Sequence, residues 1–148
     1  MARKRHRVSF EEQLASVPLL AALSSVQLQA MAHRATRAHE PTGMIFSKEG
    51  ERGDELVVIL EGEVQVRHDD EVLATLGPGE FVGEMALLDD ASRRTATVVA
   101  RTPVVVAYIG RHDFDVLLED SPEVAAMIHE TIATRARGDE ERPPEQTA

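Results

Sequence analysis

Residues 55–80 read ELVVILEGEVQVRHDDEVLATLGPGE, and their punctuation decides the fold. Three short runs rich in β-branched residues are separated by Gly62, by Asp69 and Asp70, and by the Gly77-Pro78-Gly79 turn. Pro78 fixes φ while the glycines beside it bend freely, so 77–80 is a turn with a mechanism. The same grammar continues outward. GMIFS (43–47) precedes the stretch, and RTATVVA (94–100) and PVVVAYI (103–109) follow it. Gly43, Gly50, Gly53, Gly62, Gly77, Gly79 and Gly83 all fall at junctions between strand-like runs. So many short strands in one domain need closure or a double-sheet roll to protect their edges.

The flanks change period. Phe10, Leu14 and Val17 recur at helical spacing until Pro18 ends or bends the segment. Ser24 with Gln27 three places on is a capping-box pattern, and Leu28, Met31 and Ala35 then mark one helix face. On the other flank, Phe114, Leu117 and Leu118 suggest one short helix. Ser121 followed by Pro122 is an N-cap with proline at the first helical position. Val124, Met127, Ile128, Thr131 and Ile132 follow at helical spacing, with Gly138 as the expected stop. The expected organisation is a basic tail (1–9), N-terminal helices (10–39), strands (40–110), C-terminal helices (111–137) and an acidic, Pro-containing, disordered tail (138–148).

Composition narrows the function classes. The chain has 148 residues, enough for one core and tight for two. Aromatics are 3%, so the core must rest on Val, Leu, Ile, Ala and Met. The absence of cysteine excludes a disulfide framework, a cysteine-ligated zinc and a thiol nucleophile. The longest apolar runs are strand-sized, too short to cross a bilayer, and the basic start lacks an apolar signal core. A cytoplasmic protein without membrane insertion is expected. The net charge of -10, carried despite Arg3, Lys4, Arg5 and Arg7, sets the body against a nucleic-acid backbone, so no direct DNA binding is expected. The basic tail reads as a solvated terminus.

FVGEMALLDDASRRTATVVA (81–100) breaks the strands with chemistry. A glycine followed by a single helical turn exposes backbone N–H groups that attract anions, above all phosphate. An arginine later in the segment can add paired, charge-assisted hydrogen bonds. Glu84 would repel phosphate but accept hydrogen bonds from hydroxyls. Together they describe a ligand with a phosphate beside a free hydroxyl, such as a sugar phosphate or nucleotide.

The same stretch closely resembles the phosphate-binding cassette of cyclic-nucleotide-binding domains, of the catabolite-activator and cAMP-dependent kinase regulatory-subunit type. VPLLAALSSVQLQAMA resembles that family's N-terminal helices, GMIFSKEGERGDELVVILEGEVQV its first strands, and LGPGEFVGEMALL the lead into the cassette. The match runs in order over roughly residues 10–137. It implies a mainly β fold with flanking helices: an eight-stranded β-roll of the double-stranded β-helix or jelly-roll type. N-terminal helices, a short cassette helix and a C-terminal lid helix would complete it.

Carried over by position, the resemblance implies a ligand-binding set of Gly83, Glu84, Met85, Ala86, Arg94, Thr95 and Ala96. The Gly83 backbone and Glu84 carboxylate would hold the ribose 2′-hydroxyl. The Ala86 amide, Arg94 and Thr95 would hold the cyclic phosphate, with Ala96 beside them. Met85, Leu87 and Leu88 would supply core and hinge packing. Arg94 opens the RTATV pattern eleven positions after Gly83, while the shorter kinase-type spacing would select Arg93. The helix 121–137 resembles the lid over the base. It carries no aromatic, so Met127, His129 and Thr131 are the candidate base contacts.

The expected function is that of a stand-alone, non-enzymatic regulatory module. It would sense cAMP or cGMP without a separate cofactor and signal through its C-terminal helix to a separate effector protein. A homodimer through that helix stays open. One alternative is a degenerate fold acting as a ligand-independent interaction module. Another is a cupin-type metal enzyme, disfavoured because His6, His33, His39, His68, His112 and His129 are scattered, with no His-x-His pair. No metal site is expected.

Overall fold

A computed structural model describes residues 8–47, 54–83 and 96–140. It opens with α1 (Phe10–Ala15), a 3-10 turn (Pro18–Leu20) and α2 (Ser25–Arg34). Eight strands follow among the described residues: β1 (Thr36–Glu40), β2 (Ile45–Ser47), β3 (Glu55–Glu61), β4 (Val64–His68), β5 (Glu71–Leu76), β6 (Phe81–Val82), β7 (Thr97–Ala100) and β8 (Val104–Gly110). Helices α3 (Arg111–Asp120) and α4 (Pro122–Glu140) close the described chain.

Both early helices start where side chains replace missing backbone partners. Ser24 Oγ accepts from Gln27 N–H at 3.1 Å, and Gln27 returns the bond by accepting from Ser24 N–H at 2.8 Å. Ser9 and Glu12 form a second capping box at the start of α1. Beyond α1 the chain turns at Pro18, and Leu19 and Leu20 go straight into the core.

The strands form two four-stranded antiparallel sheets, ordered β1-β8-β3-β6 and β2-β7-β4-β5. Alternation assigns the buried side chains of β3, β6 and β8 to one of two interiors. Val57, Ile59, Val82, Val104 and Val106 face the second sheet, where Val64, Val98 and Ala100 meet them. Leu56, Val58, Phe81, Ala107 and Ile109 face the helices and pack with Leu14, Leu20, Phe114, Val124 and Ile128. β3, β6 and β8 are therefore covered on both faces. That is why ELVVIL and PVVVAYI read as nearly continuous apolar runs, while β4 alternates with polar residues.

The expected mainly β roll with flanking helices is the observed architecture. Two boundaries differ. Residues 36–40 are β1, whereas the expected N-terminal helices extend to residue 39. TRAHE shows no strand pattern because it is a half-exposed edge, held by its pairing with β8 from Thr36–Tyr108 to Glu40–Val104. At the other end α4 runs past Gly138 to Glu140. A glycine in a helix costs about 1 kcal/mol but does not force an end.

Tyr108 ties β8 to β1 with a polar bond at the margin of the inter-sheet core. Its phenol donates to Glu40 Oε2 at 2.7 Å, and its ring packs against Phe46 at 6.3 Å. Burial, then the Glu40 carboxylate, push the phenol pKa well above its ordinary value. The protonated form is therefore the one the fold favours. Its stabilisation is whole below pH about 10 and is lost as pH climbs toward the raised folded value. Tyr108→Phe should cost about 1 kcal/mol at pH 7 through the lost hydrogen bond. Urea unfolding at rising pH, from neutral to strongly alkaline, should show that deficit narrowing at the alkaline end.

Candidate functional site

The segment singled out by sequence has its two described ends in different sheets. It leaves β6, the edge strand of the first sheet, and re-enters the fold at β7, inside the second. β6 is short but firmly placed. Val82 pairs with Val57 and Phe81 with Val58, and both β6 side chains are buried. Gly83 follows at φ +100°, a left-handed backbone that a side chain would strain. The extended backbone of β6 thus ends at the first residue of the expected ligand set. Ala96 is half-buried immediately before β7, whose Val98 and Ala100 are anchored in the inter-sheet core.

Of the expected ligand set, the structure describes Gly83 and Ala96. Glu84, Met85, Ala86, Arg94 and Thr95 lie outside the described residues, as do Leu87, Leu88 and the alternative Arg93.

The candidate lid is α4. Ser121, its buried N-cap, accepts a bond from Val124 N–H at 3.4 Å, and Pro122 opens the helix as expected. Val124 and Ile128, both fully buried, seat the first half of α4 on the helical side of the core. The neighbouring face lines an open groove of about 450 Å³ against the β5–β6 corner. Met127, Glu130, Thr131, Thr134 and Arg135 form one wall, and Leu76 and Glu80 the other. Two of the three candidate base contacts, Met127 and Thr131, therefore sit in this groove. His129 is exposed and is not among its walls.

Arg135 is a residue of this site that the sequence reading does not single out. Its Nη2 donates to the Phe81 carbonyl oxygen at 2.6 Å, and its guanidinium lies 5.4 Å from the centroid of the Phe81 ring. A signal for it exists, since 127, 131 and 135 fall on one helical stripe.

Among the described residues no three His, Asp or Glu gather as a metal site, and no helix is long and apolar enough to cross a membrane.

Comparison with known proteins agrees with this geometry. The family model described as "Cyclic nucleotide-binding domain" matches residues 38–121. A cyclic nucleotide-gated potassium channel of Rhizobium etli is 35% identical over 144 residues, covering 97% of this chain and 39% of the channel. A cAMP-dependent protein kinase regulatory subunit of Yarrowia lipolytica is 36% identical over 116 residues, covering 77% of this chain and 31% of the subunit. The chain thus spans between 31% and 39% of the length of these curated relatives. Among solved structures, one titled "Sp-2Cl-cAMPS bound to PKAR CBD2" superposes with a TM-score of 0.79 at 26% identity, covering 89% of this chain and 88% of that one. The family is a regulatory, ligand-binding one and not a catalytic one. With a sandwich whose two sheets are bridged by a Gly83–Ala96 segment and flanked by a docked C-terminal helix, this chain belongs to the cyclic nucleotide-binding domain family.

Proposed function

We propose that this domain binds a cyclic nucleotide, with cAMP preferred, and converts occupancy into a movement of α4. The observation that carries the reading is the delivery of Gly83, at φ +100°, from the buried edge strand β6 into the GEMALLDDASRRTA segment, 83–96. In the proposed site the Gly83 backbone and Glu84 meet the ribose hydroxyl. The amides of Ala86 and Thr95 and the guanidinium of Arg94 meet the phosphate, with Met85 and Ala96 lining the cradle. The relatives named for cAMP-dependent kinase support cAMP over cGMP.

The signal is a population shift. Ligand can bias α4 only by binding one of its positions more tightly than another. Helix α4 suits that role because it has a buried seat at Val124 and Ile128 and an open groove beside it. The recipient is an effector protein surface that reads the position of α4. No catalytic step is assigned.

Titration with cAMP, cGMP and 5′-AMP tests the reading directly. The two cyclic nucleotides should release binding heat and raise the melting temperature by mass action, with cAMP stronger, while 5′-AMP should not. Equal binding of 5′-AMP would show a general phosphate site. A flat response to all three would favour the ligand-independent interaction module.

A further inference from the structure

The fold leaves one carbonyl of β6 pointing outward, and α4 uses it. Glu80 O accepts from Ile59 N–H at 2.8 Å, so the chain at residue 80 faces β3. Backbone groups of successive residues in an antiparallel strand point to opposite sides, so the Phe81 carbonyl turns away from β3. β6 is the last strand of its sheet, and no described strand lies beyond it. The acceptor is met instead by Arg135, from fifty-four residues away, at 2.6 Å. The guanidinium also covers the Phe81 ring. That ring is itself fixed, being 6% exposed and packed in the helical core.

This contact adds a polar hold to the second half of α4, where Ile132 packs partly buried against the helical core. Val124 and Ile128 are its fully buried residues among those described, and both lie in its first two turns. Arg135 lies seven residues beyond Ile128, about 10 Å further along the axis. The groove lined by Met127, Thr131 and Glu80 runs between these two attachments. A helix seated by apolar packing at Val124, Ile128 and Ile132 and bonded beyond them to β6 has its far end tied to that strand.

We propose that Arg135 is the positioning residue of the cyclic-nucleotide site, fixing the second half of α4 to the strand that delivers Gly83. The inference rests on the binding function proposed above. It adds the coupling element: the Arg135–Phe81 bond makes α4 and the entry to the 83–96 segment move as one body. Ligand contacts at Gly83 and Glu84, two and three residues beyond Phe81, then reach α4 through a direct bond instead of through the core.

The test uses the whole chain, as wild type, Arg135→Ala, Arg135→Lys and Phe81→Leu. Two measurements are made: amide hydrogen exchange along α4 without ligand, and cAMP affinity by calorimetry. Arg135→Ala should speed exchange in the second half of α4 and weaken cAMP binding, each by about tenfold, as loss of a charged donor to a backbone acceptor does. Exchange in α1 and α2 should be unchanged. Arg135→Lys, which keeps the charge and a donor, should recover most of both effects. Phe81→Leu, which keeps the carbonyl and removes the ring, should give smaller losses than Arg135→Ala. Unaltered α4 exchange in Arg135→Ala overturns the coupling. Faster exchange with wild-type affinity leaves the bond a packing contact and overturns the positioning role. A wild-type chain that binds neither cAMP nor cGMP removes the functional reading, and the positioning role with it.

Discussion

Arg94→Ala is expected to abolish measurable cAMP binding. The chain carries a net charge of -10, so long-range electrostatics oppose an anionic ligand and local groups must reverse that field. Backbone amides supply partial charges. A guanidinium supplies a full one, in a planar fork that can engage two phosphate oxygens at once. Removing it leaves a desolvated phosphate without its partner, a loss of about 2–5 kcal/mol. That is roughly thirtyfold to several thousandfold in dissociation constant. Arg93→Ala is the matched control, since it removes the same charge one position away and should keep most of the affinity. Calorimetry on both variants decides the assignment. If Arg93→Ala is the silent partner, Arg94 is the phosphate ligand; if the losses are exchanged, the shorter spacing applies. Undiminished binding in both would remove the phosphate cradle from this segment.

Gly62→Ala should produce the largest loss of stability. Gly62 joins β3 to β4 at φ +87°, and a Cβ there would collide with the Pro103 carbonyl oxygen and lie 2.7 Å from Val104 Cγ1. The oxygen cannot retreat cheaply. Pro103 has a fixed φ, and Val104 begins β8, which pairs with both β1 and β3. Relief of the clash must therefore displace a central strand of the first sheet. The expected cost is about 3–5 kcal/mol, from overpacking added to backbone strain. For a chain this size that lowers the melting temperature by about 10 °C or more. Gly43→Ala separates the two contributions. Gly43 has a similar φ of +91°, but a Cβ placed on it would meet nothing within 4 Å, so it should lose only about 1 kcal/mol. Equal losses at the two positions would mean that the approach of Pro103 is not what demands glycine at 62.

Much of the architecture is legible because it is written in near neighbours. Ser24 with Gln27 and Ser121 with Pro122 are signals contained within four residues, and both open helices as expected. The strand runs between glycines are legible for the same reason. β1 is not, because TRAHE carries no strand signal of its own and is a strand only by virtue of β8, about seventy residues on. The candidate site divides in the same way. The order Gly83, Glu84, Arg94, Thr95 is visible in the letters. Which lid candidates face the groove is not, because that depends on how α4 is rolled on the core: Val124 and Ile128 turn inward, and Met127 and Thr131 follow toward β5 while His129 turns to solvent.

The amino-acid order by itself determined the class of fold, the family likeness and the stretch that carries the chemistry, since propensity, capping and turn geometry act over a few adjacent residues. Tertiary structure alone decided that Gly62 must be glycine because Pro103 passes beside it, that the Phe81 carbonyl faces outward, and that Arg135 is the group that meets it. Both pairings join residues far apart in the chain. Such pairs have no spacing to betray them, and they come into being only when sheets and helices pack.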